Sequence, residues 1–440
     1  MKQYRITADS ASGLARSIEA AVSRGALTPG QRLPSIRRMA VELDLSPVTV
    51  AAAIAELRRR GVVVTEQRRG TRIGDGPPLG SSRRALPVPP GARDLSRGNP
   101  DPALLPNLAE ALAKTSLPVR LYGESPDLPE LVALAREQLR TDGVSSDALC
   151  VVSGALDGIE RVLEAHMRPG DLIAVENPGY AALYDLLRAQ GLALEPVSVD
   201  DRGMLPAQLH TALARGAGAA IITPRGQNPT GAALDGERAG ELRAVLAKFP
   251  RTLLIEDDHL GPVAGVELHT TVSARERWAA TRSVAKALGP DLRLAVLSGD
   301  PETIARVQGR QQCGPGWVSH VLQTLVLSLW GDPAVQELIA GASALYAQRR
   351  SRFLECLAAA GVSAHGASGL NVWVPVTDEA GMIAAMLQRS WVLAPGAPFR
   401  LAASPPAIRV TTATLQAAEA ERLALDIAAV LAPGGSSRSG

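Results

Sequence analysis

Lysine is nearly absent from this chain: among 440 residues it occurs four times, at Lys2, Lys114, Lys248 and Lys286. Positive charge comes almost entirely from arginine, which keeps its proton in proteins, so any amine chemistry rests on very few side chains. Cysteine is scarce as well. Cys150, Cys313 and Cys356 are odd in number and far apart, which argues against a disulfide framework or zinc site and for a reducing cytoplasm. No apolar run reaches membrane-spanning length, and the start MKQYRITADS lacks the apolar region of a signal peptide. Aromatic residues make up 3%, so a tyrosine in a candidate site carries more weight than usual.

What is present is 46% hydrophobic residues, ample for a large core, and an uneven charge distribution. Residues 1 to 74 hold 13 Lys and Arg against 6 Asp and Glu, a balance of +7; with +2 for the whole chain, the remainder carries −5. A basic head on a mildly acidic body points to nucleic acid at one end, although a solvated charged face gives the same count. Residues 75 to 94, DGPPLGSSRRALPVPPGARD, read as a semi-stiff tether that spans at most about 70 Å.

Within the head, Leu14, Ile18, Ala21 and Val22 share one helical face, closed by Gly25. Ser35 is placed to cap a second helix, with Ile36, Met39, Ala40 and Leu43 inward. Ser46 is placed to cap a third, with Pro47 at its first position and Val50, Ile54 and Leu57 as its buried stripe. Two short strands around Gly70 complete a winged helix-turn-helix. The run PGQRLPSIRRMAVELDLSPVTV, closed by a basic wing ending GT, resembles the GntR family of bacterial regulators. That resemblance implies double-stranded DNA as partner, with Arg37, Arg38, Ser46, Val48, Thr49 and the wing residues Arg68, Arg69 and Gly70 facing it. Pro47 stands where some relatives carry arginine, and Ala51 to Ala53 offer no base-reading groups, so readout from the third helix is expected to be sparse. Arg58, Arg59 and Arg60 read as a solvated helix end.

From about residue 95 the chain alternates short apolar runs with helical stretches, an α/β pattern with a mainly parallel sheet. LIAVE (172–176), AAIIT (219–223), TLLIED (252–257) and RLAVLSG (293–299) are expected as buried parallel strands. The large part runs from about 95 to 325 and a small C-terminal α+β part from about 326 to 432. Ligands in such sheets sit at the carboxyl ends of strands, where Asn228 and Asp257 fall. Gly154, Ala155 and Leu156 open a helix, whose N-terminus suits a phosphate, though such turns commonly just start helices. Asn228 lies in NPTG, alone a common turn, and Tyr180 in ENPGY suits either ring stacking or the core. Asp257 at a buried strand end requires a cationic partner. Lys286 lies in SVAKALGPDLR, with Ser283 three before and Arg293 seven after; a desolvated lysine amine condenses with aldehydes.

In chain order Gly154, Tyr180, Asn228, Asp257, Lys286, Arg293 and Arg409 resemble the class I aminotransferases, of fold type I, over nearly all of residues 95 to 432. The resemblance implies pyridoxal 5'-phosphate (PLP) as cofactor. Lys286 would hold its aldehyde as a Schiff base; Gly154, Ala155, Leu156, Ser283 and Arg293 its phosphate; and Asp257 its ring nitrogen. Asn228 and His259 would hold its phenolic oxygen, with Tyr180 on the ring face. Tyr122 would reach the phosphate from a partner subunit, and Arg409 would grip a carboxylate of an amine or amino-acid effector. No metal is implied. A GntR head on such a body resembles the MocR subfamily, which implies a cytoplasmic PLP-responsive transcription regulator and a head-to-tail homodimer. Two departures stand out: His259 replaces the usual tyrosine, and Asp127-Leu128 replaces the usual glycine. Both favour sensing over turnover. An aminotransferase with an accessory DNA head is the alternative, and a body that has lost its cofactor is a further one. Vitamin B6 or amine metabolism genes are the expected targets.

Overall fold

The structure is a computed structural model describing residues 6–59, 61–66, 70–74, 88–272, 275–402 and 404–432. In the head, helices α1 (Ala11–Ser23), α2 (Ile36–Leu43) and α3 (Pro47–Arg59) precede two antiparallel strands. These are β1 (Val63–Glu66) and β2 (Gly70–Ile73), paired with Val63 opposite Ile73. Each helix begins at a capping serine: Ser10, Ser35 and Ser46 accept from the backbone N–H groups of Gly13, Arg38 and Thr49 at 3.1, 3.3 and 3.0 Å. Gly25, at φ +70°, ends α1 where a side chain would be strained. Leu14, Ile18, Met39, Val50, Ile54, Leu57, Val63 and Ile73 form one core.

Two local expectations change. Ile36 is 37% exposed; it opens α2, whose buried face is carried by Met39 and Ala40. The second wing strand begins at Gly70 itself. Arg60, Arg68, Arg69 and residues 75–87 of the expected tether lie outside the described residues. The tether's last residues belong to the body, where β3 (Arg93–Asp94) pairs in parallel with Trp391–Val392. A two-residue strand leaves no apolar signature in a sequence.

The body is built on eight strands: β4 (Ala148–Val152), β5 (Leu172–Asn177), β6 (Ala193–Asp200), β7 (Gly203–Met204), β8 (Ala219–Ile222), β9 (Leu253–Asp258), β10 (Trp278–Ser283) and β11 (Ala295–Gly299). Across the sheet they run β4-β11-β10-β9-β8-β5-β6-β7. The centre, β5-β8-β9-β10, is parallel. The run 293–299, expected parallel, is instead antiparallel to both β10 and β4. Residues 284 to 294 between β10 and β11 are too few for the crossover a parallel strand needs. The small part carries β12 (Asn371–Pro375), β13 (Trp391–Val392), β14 (Ala394–Pro395) and β15 (Ala407–Thr411), three of which form the sheet β12-β15-β14. Phe353 and Leu357, from the long helix Pro333–Ala359, pack there against Val372, Val374, Ile408 and Leu423. No helix among the described residues is long and apolar enough to cross a membrane.

Candidate functional site

Strand β9 ends in three consecutive buried acids, Glu256, Asp257 and Asp258. Side chains alternate along a strand, so the middle acid faces away from its neighbours. Each meets a different environment. Glu256 accepts from the Thr270 hydroxyl at 2.7 Å and from the Thr271 hydroxyl at 2.6 Å; burial still raises its pKa. Asp258 accepts from Arg225 at 2.9 Å and from Arg282 at 2.9 Å, and Asp142 lies 2.7 Å from Arg282. Burial alone would raise the Asp258 carboxyl, yet the two guanidinium groups hold it down at about 2. Among the described residues Asp257 receives only the Thr281 hydroxyl at 3.2 Å, with His259 Nδ1 at 4.0 Å. Burial pushes its pKa up, and His259 only partly opposes this.

The register explains the division. Thr281 stands opposite Asp257, and Arg282 opposite Asp258. One face of the β9–β10 pair thus carries the site, while the other carries the ion cluster that holds the strand ends together. Asp257 is left under-compensated at the floor of a cavity of about 210 Å³.

Ala155, Leu156, Tyr180, Asn228, Asp257, His259, Ser283, Lys286, Arg293 and Arg409 all line that cavity. Lys286 donates to the Gly98 carbonyl at 2.7 Å. Burial first, and the charge of Arg409 second, lower its amine to about 8. Gly154 sits at φ +102°, where a Cβ would come within 3.0 Å of Arg293 Nη2. Only glycine lets that guanidinium lie against the start of the helix Ala155–His166, whose first N–H groups have no intrahelical acceptor. Arg293 is itself held in the left-handed region at φ +45°, an unfavourable conformation that persists only where its surroundings enforce it.

At the other end of the cavity, Arg409 donates to Asn228 Oδ1 at 2.9 Å and to the Ser96 carbonyl, and lies 4.9 Å over the Phe399 ring. Its buried Nε has no partner among the described residues, and burial lowers its pKa to about 10. Because Arg409 occupies the Asn228 oxygen, the amide N–H₂ of Asn228 is left to donate elsewhere. His259 also faces the cavity, its pKa lowered chiefly by burial and secondly raised by Asp257.

Tyr122 is not in the cavity. It is 92% exposed, with its ring edge-on to Trp317 at 5.5 Å. Asp127, in place of the usual glycine, is buried and accepts from Val151 N at 3.1 Å. In the head, Arg37 and Arg38 lie on α2, Val48 and Thr49 in the first turn of α3, and Gly70 at the start of β2. Thr281, Arg97, Leu370 and Asn371 were not anticipated, although the last three line the cavity and Thr281 bonds Asp257. The period-two spacing of Thr281 and Ser283 was the available signal. A larger open cleft of about 620 Å³ lies beside Arg161, Arg306 and Arg310. Their charges are already matched by Asp157, Glu302 and Glu164, so the smaller cavity is the better chemical site.

An anion-binding end, a buried amine of lowered pKa and a carboxylate needing a cation fit PLP. The phosphate, aldehyde and protonated ring nitrogen each find their complement. Comparison with known proteins agrees. Residues 92–427 match the family Aminotransferase class I and II, and residues 10–73 match Bacterial regulatory proteins, gntR family. The vitamin B6 salvage pathway transcriptional repressor PtsJ of Salmonella typhimurium is 38% identical over 413 residues, 93% of this chain and 96% of that protein. The chain belongs to the MocR subfamily of GntR-family regulators. Another relative, the HTH-type transcriptional regulator TauR of Rhodobacter capsulatus, is 27% identical over 81% of each chain. The α-aminoadipate aminotransferase LysN of Thermus thermophilus shares the body's fold, with TM-score 0.69 and 20% identity over 80% of this chain and 96% of that one. As a MocR-type regulator the protein binds PLP and carries a DNA-binding head.

Glu176, at the end of β5, accepts from the Thr223 N–H and hydroxyl, both at 2.9 Å, and from Gln227 Nε2 at 3.2 Å. Gln227 also donates to the Pro178 carbonyl at 2.8 Å, so Glu176 joins the loop of Tyr180 to that of Asn228. Burial raises its carboxyl to about 7. A raised carboxyl pKa contributes stability below the ordinary range near 4, and loses it as pH rises through about 7. Glu176→Gln should therefore lose less thermal stability than wild type between pH 5 and 8, by about 3 °C in Tm. Parallel Tm–pH curves for the two proteins would show that Glu176 stays charged.

Proposed function

We propose that the protein represses promoters of vitamin B6 supply genes and that PLP bound in the body alters occupancy by the head. In this reading Lys286 bonds the cofactor aldehyde and supplies its covalent attachment. Gly154, Ala155, Leu156, Ser283 and Arg293 hold the phosphate, and Asp257 holds the ring nitrogen. Asn228 and His259 hold the phenolic oxygen, Tyr180 covers the ring, and Arg409 takes the carboxylate of an amino-acid effector. Arg37, Arg38, Ser46, Val48, Thr49, Arg68, Arg69 and Gly70 face DNA. The observation that carries the site is Asp257, a buried carboxylate with no full cationic partner among the described residues. The relative named for vitamin B6 salvage supports the target genes.

The protein acts as a head-to-tail homodimer in the cytoplasm. Leu117, Val119, Leu121 and Tyr122, at 41, 86, 68 and 92% exposure, support a second copy covering this segment and receiving Tyr122 at its cofactor. His259 in the tyrosine position favours sensing. The same lysine and Arg409 carboxylate grip would also serve an aminotransferase with an accessory DNA head.

The deciding experiment measures binding to the promoter of the protein's own gene across a PLP titration. Wild type should change affinity by roughly 5- to 150-fold, and Asp257→Ala combined with Lys286→Ala should not respond. Identical titrations of the two proteins would move the aminotransferase reading into first place. Multiple turnovers with an amino acid and an oxoacid would then establish it.

A further inference from the structure

The second helix of a helix-turn-helix lies along the major groove, so its outward side chains decide what is read. In α3 the inward stripe is Val50, Ala53, Ile54 and Leu57, all buried. The outward stripe from the first turn into the third is Val48, Ala51, Ala52 and Ala55. None of these side chains has a hydrogen-bond donor or acceptor. The hydroxyls nearby are partly engaged: Ser46 Oγ and Thr49 Oγ1 lie 2.8 Å apart, one donating to the other, and Ser46 Oγ also accepts the Thr49 N–H at 3.0 Å. Val48 is 78% exposed and outside the head's core, so folding alone does not explain an apolar residue there.

The major groove offers one apolar group, the thymine 5-methyl. Resting on the DNA-reading role assigned above, we infer that Val48 selects operators by packing on a thymine methyl, with the alanines letting the α3 backbone come close. Specificity in each half-site then rests on a methyl contact, while arginines such as Arg37 supply sequence-independent phosphate attraction.

The full-length protein, selecting duplexes from a random-sequence library at one salt concentration, provides the probe. The enriched duplex is resynthesised with each thymine replaced in turn by deoxyuridine, which removes the 5-methyl alone. One thymine per half-site should lose affinity about fourfold. Val48→Ala should lose a similar factor on the thymine duplex and nothing further on the deoxyuridine duplex. Indifference to deoxyuridine at every thymine overturns the inference while leaving DNA reading intact. So does a Val48→Ala loss that is equal on both duplexes. Failure to enrich any sequence overturns both readings.

Discussion

Borohydride reduction of the PLP-loaded protein is expected to fix the cofactor to one peptide, the one containing Lys286, and Lys286→Ala to abolish that fixation. The chain's lysine poverty makes this test unusually clean. Lys114 is an exposed ammonium whose bond to Glu110 at 2.6 Å raises its pKa, and Lys248 is exposed. Lys286 alone among the described lysines is desolvated, with its pKa lowered to about 8. At pH 7 about a tenth of such an amine is neutral, roughly 200-fold more than for an ordinary lysine. Covalent incorporation should therefore fall by at least about 100-fold in the variant. The fold should persist, because the substitution removes one bond to the Gly98 carbonyl. Peptide mapping by mass spectrometry reads the result, and label on Lys114 or Lys248 would sink the assignment.

Arg282→Met is expected to destabilise the body strongly, at about 3 to 5 kcal/mol by denaturant unfolding. Arg282 is buried on β10 and pairs with Asp258 at 2.9 Å and Asp142 at 2.7 Å. Methionine fills a similar volume but leaves Arg225 as the one guanidinium paired with Asp258 among the described residues, beside the Gly261 N–H. The acid limb should change too. With its pKa held at about 2, Asp258 contributes stability above the ordinary carboxylate range, and loses it as pH falls from about 4 towards 2. Without Arg282 its pKa rises and that contribution, on the order of 2 kcal/mol, shrinks. The variant should thus unfold at higher pH than wild type during acid titration. An unchanged acid midpoint would assign the low pKa to Arg225. PLP absorbance provides the second readout, since Asp257 lies on the opposite face and should be disturbed only through the backbone.

The head was almost wholly legible, because its signals are local: serine caps, Pro47 in the first helical position and a three-to-four-residue apolar repeat. The body was legible in outline. The site's acids, amine and arginines could be placed by their order along the chain, and Asn228, Asp257, Lys286 and Arg409 meet in one cavity. What stayed hidden depends on partners distant in sequence. Strand β10, WAATRS, is buried throughout, yet its Arg and Ser residues disguise it, and with it Thr281 and Arg282. The direction of β11 depends on the short connection from β10 rather than on its own residues. The inward direction of Asp258 similarly follows from register, which composition does not record.

Strand β9 makes the empty body the weaker fold. Glu256 is satisfied by threonines and Asp258 by arginines, but Asp257 lacks a full cationic partner among the described residues, one that the proposed cofactor would bring. Ligand that binds the folded state stabilises it in proportion to the logarithm of its concentration above Kd. A bacterium short of the vitamin would then hold a population of regulator that opens more often and is degraded sooner. The carboxylate proposed to hold the PLP ring nitrogen would make the protein's lifetime a second record of nutritional state, independent of any change in how tightly it grips DNA.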